Sequence, residues 1–275
     1  MRVERIERLD DPRVEGYRDL RDGERLSRRG TFLAEGRLVV RTLLEDGRYR
    51  ARSVLVTPTV RAALADVLEG LDDAVPVYEA EKDVLNAIAG FHLHRGCLAE
   101  GERGPAIEAE AVLSAGGRLV VALEGVNNHD NIGGIFRNAL AFGVRGVLLD
   151  RGCVDPLYRK AIRVSMGGAL RVGFAWCDDL CGALQRAREV GWRVLAMTPG
   201  TGLPGAGEES VEIGDLVRGG DDRPTVVVLG AEGPGLSDGV MGVADARVRI
   251  GMAPGVDSLN VAVASGIALH RLARV

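Results

Sequence analysis

A chain of 275 residues with 35 basic and 39 acidic side chains has a formal net charge of −4, which excludes nucleic-acid binding by bulk positive charge and leaves local patches. With 46% hydrophobic residues it can bury the core of one large or two modest domains, which excludes disorder, and 38 glycines without a triplet period exclude a collagen-like fibre. No apolar run approaches the roughly 18 residues of a membrane helix, and the charged start MRVERIERLDD lacks a signal peptide's apolar region, so a soluble, cytoplasmic protein is expected.

Charge divides the chain into three. Residues 1–61 carry 15 basic and 11 acidic side chains, residues 62–110 carry 3 and 11, and residues 111–275 carry 17 of each. In the leading segment Arg18, Arg21, Arg25, Arg28 and Arg29 recur every three to four residues and would line one side of a helix running to Gly30. A compact α/β pattern comes next. It takes a strand at Thr31–Ala34, a helix from Glu35 to about Glu45, a strand at Ser53–Val56, a helix near Val60–Glu69, a strand at Val75–Tyr78 and a helix through Ala87. The glycine- and proline-bearing stretch Gly101–Gly117, with one short acidic helical piece, reads as a linker, so a domain over 1–103 is joined through 104–117 to a second over 118–275.

From Arg118 the pattern repeats strand, turn, helix. The runs Leu119–Leu123, Val147–Leu149, Val172–Trp176, Val194–Met197 and Val226–Leu229 are short and almost wholly apolar, as parallel strands buried on both faces must be. Helical segments Ile132–Phe142 and Leu180–Val190 alternate with them, giving an α/β domain whose ligands should lie beyond the carboxyl ends of the strands. Three strand ends carry unusual residues. In the stretch NNHDNIGGIFRNA, Asp130 or Asn131 can cap a helix, Gly133 and Gly134 permit close approach in its first turn, and Arg137 supplies a planar fork for an anion. In LGAEGPGLS, three glycines frame the single carboxylate of Glu232. In IGMAPGVDSLNVAVA, Ser258 could cap a closing helix of small residues, while Asn260 needs hydrogen-bond partners if it is buried.

Taken together, these segments resemble the three signature motifs of the SpoU (TrmH) family of RNA ribose 2′-O-methyltransferases, within the SPOUT superfamily. The family patterns N-x-G-x-x-x-R-x-A, G-x-E-G-x-G and I-P-M-x(5)-S-L-N-V-A correspond to NIGGIFRNA, GAEGPG and IGMAPGVDSLNVA, with Gly251 in place of the proline and Ala231 where many members have asparagine. FLAEGRLVVRTLLEDG is similar to the segment that opens a ribosomal-protein-like RNA-binding domain in many members, which turns the arginine run towards RNA contact. The resemblance implies a parallel-sheet domain with a deep trefoil knot, a small leading α/β RNA-binding domain, a homodimer and S-adenosyl-L-methionine as cofactor. It implies cofactor contacts at Gly230, Ile250 and Leu259, with Thr198 nearby, and Arg137 as the central catalytic residue. Asn131, Glu232, Ser258 and Asn260 match the remaining motif positions, Glu232 being expected to fix Arg137 or the knot. Ribosomal RNA is the expected substrate, with transfer RNA the alternative.

Competing patterns are weaker. Gly200–Gly205 spells the dinucleotide fingerprint G-x-G-x-x-G, but the polar stretch AGEESVEIGD after it has little helical periodicity, and this is not the domain's first strand-to-helix turn. Cys97, Cys153, Cys177 and Cys181 form no CxxC, and His92 and His94 have no third ligand, so no metal site is expected. His129 is placed to touch a substrate. A non-catalytic RNA-binding protein of the same fold is the other alternative; every candidate side chain of the three motifs being present argues against it.

Overall fold

The structure is a computed structural model that describes residues 2–18, 23–93, 95–199, 210–218 and 221–273. The chain forms two compact units, one of Met1–Pro105 with Pro156–Arg171, the other of Ala106–Asp155 with Val172–Val275.

The first unit runs β1 (Val3–Ile6), a 3-10 turn (Pro12–Tyr17), α1 (Gly23–Arg28), β2 (Thr31–Glu35), α2 (Arg37–Asp46), β3 (Ala51–Val56), α3 (Pro58–Ala63), α4 (Ala65–Leu68), β4 (Val77–Ala80), α5 (Lys82–Ala89) and β5 (Cys97–Glu102). Its sheet has the order β1-β4-β3-β5-β2. β1, β4 and β3 are parallel, and β5 runs antiparallel between β3 and β2. Leu33, Leu55, Leu85, Leu93 and Leu98 are buried together with Tyr17, whose hydroxyl meets Ser53 Oγ at 2.7 Å. β5 runs to Glu102, so its last two residues enter the Gly101–Gly117 stretch that the sequence reads as linker. Gly101 belongs there because a Cβ would stand 2.4 Å from Phe32 Cζ, so a ring packs where a side chain would be. The arginines of the leading segment do not share one helix face. Arg18 is extended, α1 begins at Gly23, and Arg21 lies outside the described residues.

The second unit contains α6 (Ala109–Ser114), β6 (Leu119–Glu124), α7 (His129–Ala141) and β7 (Gly146–Asp150). The chain then contributes α8 (Arg159–Val164) and α9 (Gly168–Arg171) to the first unit before returning. It continues with β8 (Gly173–Cys177), α10 (Leu180–Glu189), β9 (Arg193–Met197), β10 (Ser210–Glu212), α11 (Ile213–Arg218), β11 (Thr225–Gly230), α12 (Asp238–Val243), β12 (Ala246–Arg249) and α13 (Val261–Leu272). The sheet is parallel throughout, in the order β10-β12-β9-β11-β6-β7-β8.

Two expectations of domain layout are corrected. The acidic helical piece of the expected linker is α6, whose Val112 and Leu113 sit in the second unit's core. The expected single domain over 118–275 is interrupted, because Pro156–Arg171 is clamped to the first unit. There Arg159 Nη1 meets the buried Glu35 Oε2 at 2.5 Å, Arg171 pairs with Asp46, and a Cβ on Gly167 would stand 3.1 Å from Thr42 Oγ1.

Candidate functional site at the strand ends

β12, β9 and β11 are neighbours, and their carboxyl ends open onto a cavity of about 190 Å³. Thr198, Gly230, Ile250 and Leu259 all line it, as do Glu232 and Ser258. It lies where the chain, having laid β6, β7 and β8 in one direction, has returned to build on the other side of β6, the position at which open α/β sheets hold ligands.

The loop after β11 owes its shape to glycine. A Cβ on Gly230 would meet Gly235 backbone carbon and oxygen at 2.4 and 2.5 Å, so only glycine lets the loop fold back, closed by Gly235 N donating to Ala231 O at 3.1 Å. Gly233 and Gly235 take φ of +93° and +73°. The loop is anchored to the end of β6, where Glu124 accepts from Ser237 N (2.8 Å) and Ser237 Oγ (2.7 Å).

Three motif residues far apart in sequence meet in one hydrogen-bonded network. Asn260 Nδ2 donates to Asn131 Oδ1 at 2.8 Å and to Glu232 Oε1 at 2.7 Å. Asn260 Oδ1 accepts from Ala262 N and Val263 N, so Asn260, not Ser258, is the N-cap of α13. Likewise α7 is capped by Asn128, not by Asp130 or Asn131, through Asp130 N at 2.8 Å. Asn131 is 6% exposed and is spent on Asn260.

The small residues expected at the helix contact have a physical reason. A Cβ on Gly134 would stand 2.7 Å from Ala262 Cβ, so α7 and α13 touch nearly backbone to backbone. Asn138, which sequence reasoning passed over, seals that contact by donating to Ala262 O (2.7 Å) and Ser265 Oγ (2.9 Å). Its signal was available: a carboxamide seven residues after Asn131 lies on the same helix face. Glu124 and Asp150 were also missed, the latter accepting from Gly125 N at 2.9 Å and holding the turn into the first motif.

Arg137 stands exposed on α7, one position before Asn138, and makes no hydrogen bond or ion pair among the described residues. Glu232 is therefore tied to Asn260 and not to Arg137, which corrects one of the two expected partners. Ser258 is exposed at the cavity rim. The Gly200–Gly205 fingerprint lies outside the described residues.

Residues 118–270 match the sequence pattern of the SpoU rRNA Methylase family, and they hold the whole network and cavity. The chain belongs to the SpoU rRNA Methylase family. This SpoU methylase is 40% identical over 269 residues to an uncharacterized tRNA/rRNA methyltransferase of Mycobacterium bovis, covering 96% of this chain and 90% of that one. It superposes on an AdoMet-bound rRNA methyltransferase from Sinorhizobium meliloti with a TM-score of 0.80 at 26% identity, covering 99% of this chain and 98% of that one. The SpoU methyltransferase AviRb from Streptomyces viridochromogenes, in complex with AdoMet, shares the fold at 20% identity, with a TM-score of 0.79 over 96% of this chain and 98% of that one.

Proposed function

We propose that this SpoU methylase transfers a methyl group from S-adenosyl-L-methionine to a ribose 2′-hydroxyl of structured RNA, with ribosomal RNA favoured over transfer RNA. The observation that carries the reading is the strand-end cavity of Thr198, Gly230, Ile250 and Leu259, joined through Glu232 to the Asn131–Asn260 pair. The relative from Sinorhizobium meliloti, described as an AdoMet-bound rRNA methyltransferase, supports both cofactor and substrate class.

The residues present fit the cofactor. Gly233 and Gly235 have open space where a Cβ would stand, so the loop presents bare backbone to the cavity. Met197, Met252 and Leu259 supply apolar walls for a purine ring. When bound, S-adenosyl-L-methionine supplies an electrophilic sulfonium methyl. The protein's own work is alignment of the hydroxyl and help with the loss of its proton. Arginine is too weak an acid to give up its own proton near neutrality. Arg137 therefore anchors the phosphate next to the target ribose and stabilises the developing alkoxide, and its lack of a carboxylate partner leaves it available. Asn260 holds the Leu259 backbone against the cavity, and Ser258 offers its hydroxyl at the rim.

RNA holding falls to the first unit, which we read as the ribosomal-protein-like domain of the family. It carries a groove of about 910 Å³ lined by Arg37, Arg41, Lys82 and Arg95. Arg41 is neutralised by Asp66 and Glu45, while Arg37, Lys82 and Arg95 make no ion pair among the described residues. The homodimer and the deep trefoil knot belong to the same reading. The insertion of β11 between β6 and β9, and of β12 between β9 and β10, supports a threaded connection.

The test is Arg137→Ala. Methyl transfer to RNA should fall at least a hundredfold, the scale of losing one transition-state donor. S-adenosylhomocysteine should keep its affinity, on the order of micromolar. Unchanged turnover would remove Arg137 from the chemistry, and binding of NAD in place of S-adenosylhomocysteine would sink the methyltransferase reading. Mapping 2′-O-methyl sites in cells with and without the gene names the substrate: one lost rRNA site is the expected result.

A further inference from the structure

β7 and β8 are parallel neighbours that end in register, Asp150 beside Cys177, and the next residues are Arg151 and Asp178. Arg151 Nε donates to Asp178 Oδ1 at 2.6 Å, and the two side chains are 63% and 83% exposed. An exposed pair of this kind contributes little to stability, so folding does not explain it. The guanidinium also lies over the half-buried Trp176, with Cζ 5.8 Å from the ring centroid. Trp176 is in turn held edge-to-face by Phe174 (6.4 Å, 89°), and Phe174 by the fully buried Phe136 of α7 (5.9 Å, 87°). In a chain with five Phe and two Trp, three of these rings form one ladder from the core to a surface arginine.

The guanidinium is held from two sides, by the indole beneath it and by Asp178 at its Nε, while 63% of the arginine side chain stays open to solvent. Exposed arginine planes and aromatic rings are the surfaces on which unpaired RNA bases stack. The platform shares an edge with the cavity. Asp150 Oδ1 accepts from both Gly125 N (2.9 Å) and Gly152 N (3.1 Å). A Cβ on Gly152 would stand 3.2 Å from Gly125 Cα, and one on Gly125 would stand 3.5 Å from Ala231 Cβ, which lines the cavity. Packing contacts thus run from the residue after Arg151 through Gly125 to Ala231 at the cavity wall.

We infer that Arg151, backed by Trp176 and pinned by Asp178, is a stacking platform for an unpaired nucleobase flanking the methylated ribose. The inference rests on RNA being the substrate, and Arg151 acts through the plane of its guanidinium, not through charge alone. A lysine would keep the charge and lose the plane.

The experiment is a titration of tryptophan emission with single-stranded oligoadenylate, without methyl donor. Trp192 is 6% exposed, so the response reports Trp176. A saturable change is expected in the full chain and should vanish in Trp176→Phe. Arg151→Ala and Arg151→Lys should each weaken the apparent affinity about tenfold, the scale of one lost base stack. Because Arg151 is exposed, both variants should fold, with unchanged thermal unfolding. Wild-type affinity in Arg151→Lys would overturn stacking in favour of a phosphate contact. Unchanged affinity in Arg151→Ala, or no saturable change in the full chain, would reduce the feature to a surface ion pair. None of these readouts needs methyl transfer, so failure of the platform and failure of the methyltransferase reading are told apart.

Discussion

Asn260→Asp separates capping from bridging at the centre of the site. Asparagine and aspartate are isosteric and cap helices about equally well, and a carboxylate is favoured by the helix dipole at α13. If Asn260 only capped Ala262 and Val263, the substitution would be neutral or stabilising. The structure instead has Nδ2 donating to Glu232 at 2.7 Å and to Asn131 at 2.8 Å. The new oxygen would face a carboxylate, and two unit charges about 4 Å apart repel by about 1 kcal/mol in water and about 4 kcal/mol at an effective dielectric of 20. Glu232 is exposed, which favours the lower end. Asn131 Oδ1 would also lose its donor, at a cost of about 1–3 kcal/mol unless the amide turns round. Together roughly 2 kcal/mol should be lost, a fall in Tm of roughly 4–8 °C for a unit of this size. Thermal unfolding of Asn260→Asp, Asn260→Ala and the parent chain, at low salt and in 1 M salt, is the assay. Salt should restore part of the loss in Asn260→Asp, because the Debye length falls from about 10 to about 3 Å, and should not help Asn260→Ala. S-adenosylhomocysteine affinity should fall with stability. An aspartate variant as stable as the parent would refute the bridging role.

Three further perturbations test the surrounding structure. Gly230→Ala places a Cβ 2.4 Å from the Gly235 backbone, which cannot yield without moving the loop. With overpacking of about 1–3 kcal/mol, S-adenosylhomocysteine affinity by calorimetry should fall about tenfold, and unchanged affinity would place the cofactor elsewhere. Glu35→Gln removes the partner of Arg159, whose side chain is 16% exposed, and should lower the stability of the first unit by roughly 2–4 kcal/mol. Urea unfolding measures it, and limited trypsin digestion should open Arg159–Arg163; a resistant segment with an unmoved midpoint would show that Glu35 is not the clamp. Among the four free thiols, burial pushes Cys97 up to about 12, and burial with the neighbouring Asp150 raises Cys153. Cys181, less buried and raised by burial and then by Glu124, should be the first alkylated by iodoacetamide at pH 8, at a rate still rising through pH 9; first modification of Cys97 would contradict its burial.

The strands found from sequence are those buried on both faces. Leu119–Glu124 and Thr225–Gly230 are apolar because helices cover them twice. β10 and β12 escaped because only Val248 of Ala246–Arg249 is buried, so SVE and ARVR carry no apolar run. β5 escaped because Gly101 reads as the start of the linker, and the ring of Phe32 that makes glycine necessary lies 69 residues earlier. The three motifs single out Asn131, Glu232 and Asn260, which the fold brings together, yet the bonds among them were not legible. Asn128, Asp130 and Asn131 all offer capping oxygens, and only the observed turn selects Asn128. That Glu232 faces Asn260 and not Arg137 depends on the approach of α7 to α13, set by Gly134 and Asn138. Local patterns cannot fix which of several polar groups meet across 129 residues.

The net charge of −4 acquires a sharper meaning once each arginine is followed to its partner. In the basic leading segment Arg13 is held by Asp11 and Glu4, Arg29 by Glu15, Arg41 by Asp66 and Glu45, while Arg18 donates to Asp11 O. Those cations are already neutralised or occupied and release few counterions on binding RNA. Arg37, Lys82, Arg95 and Arg137 are among the cations that make no ion pair with the described residues. If these four carry the phosphate contacts, the logarithm of RNA affinity should fall against the logarithm of salt with a slope of roughly −3. A slope near −10 would mean that most of the 15 basic residues of segment 1–61 engage phosphate, their ion pairs opening in the complex. Fluorescence anisotropy of a labelled RNA stem–loop over a range of KCl decides between them. Arg37→Gln should reduce the slope by about one unit, and Arg29→Gln should leave it unchanged, because Glu15 already holds that charge.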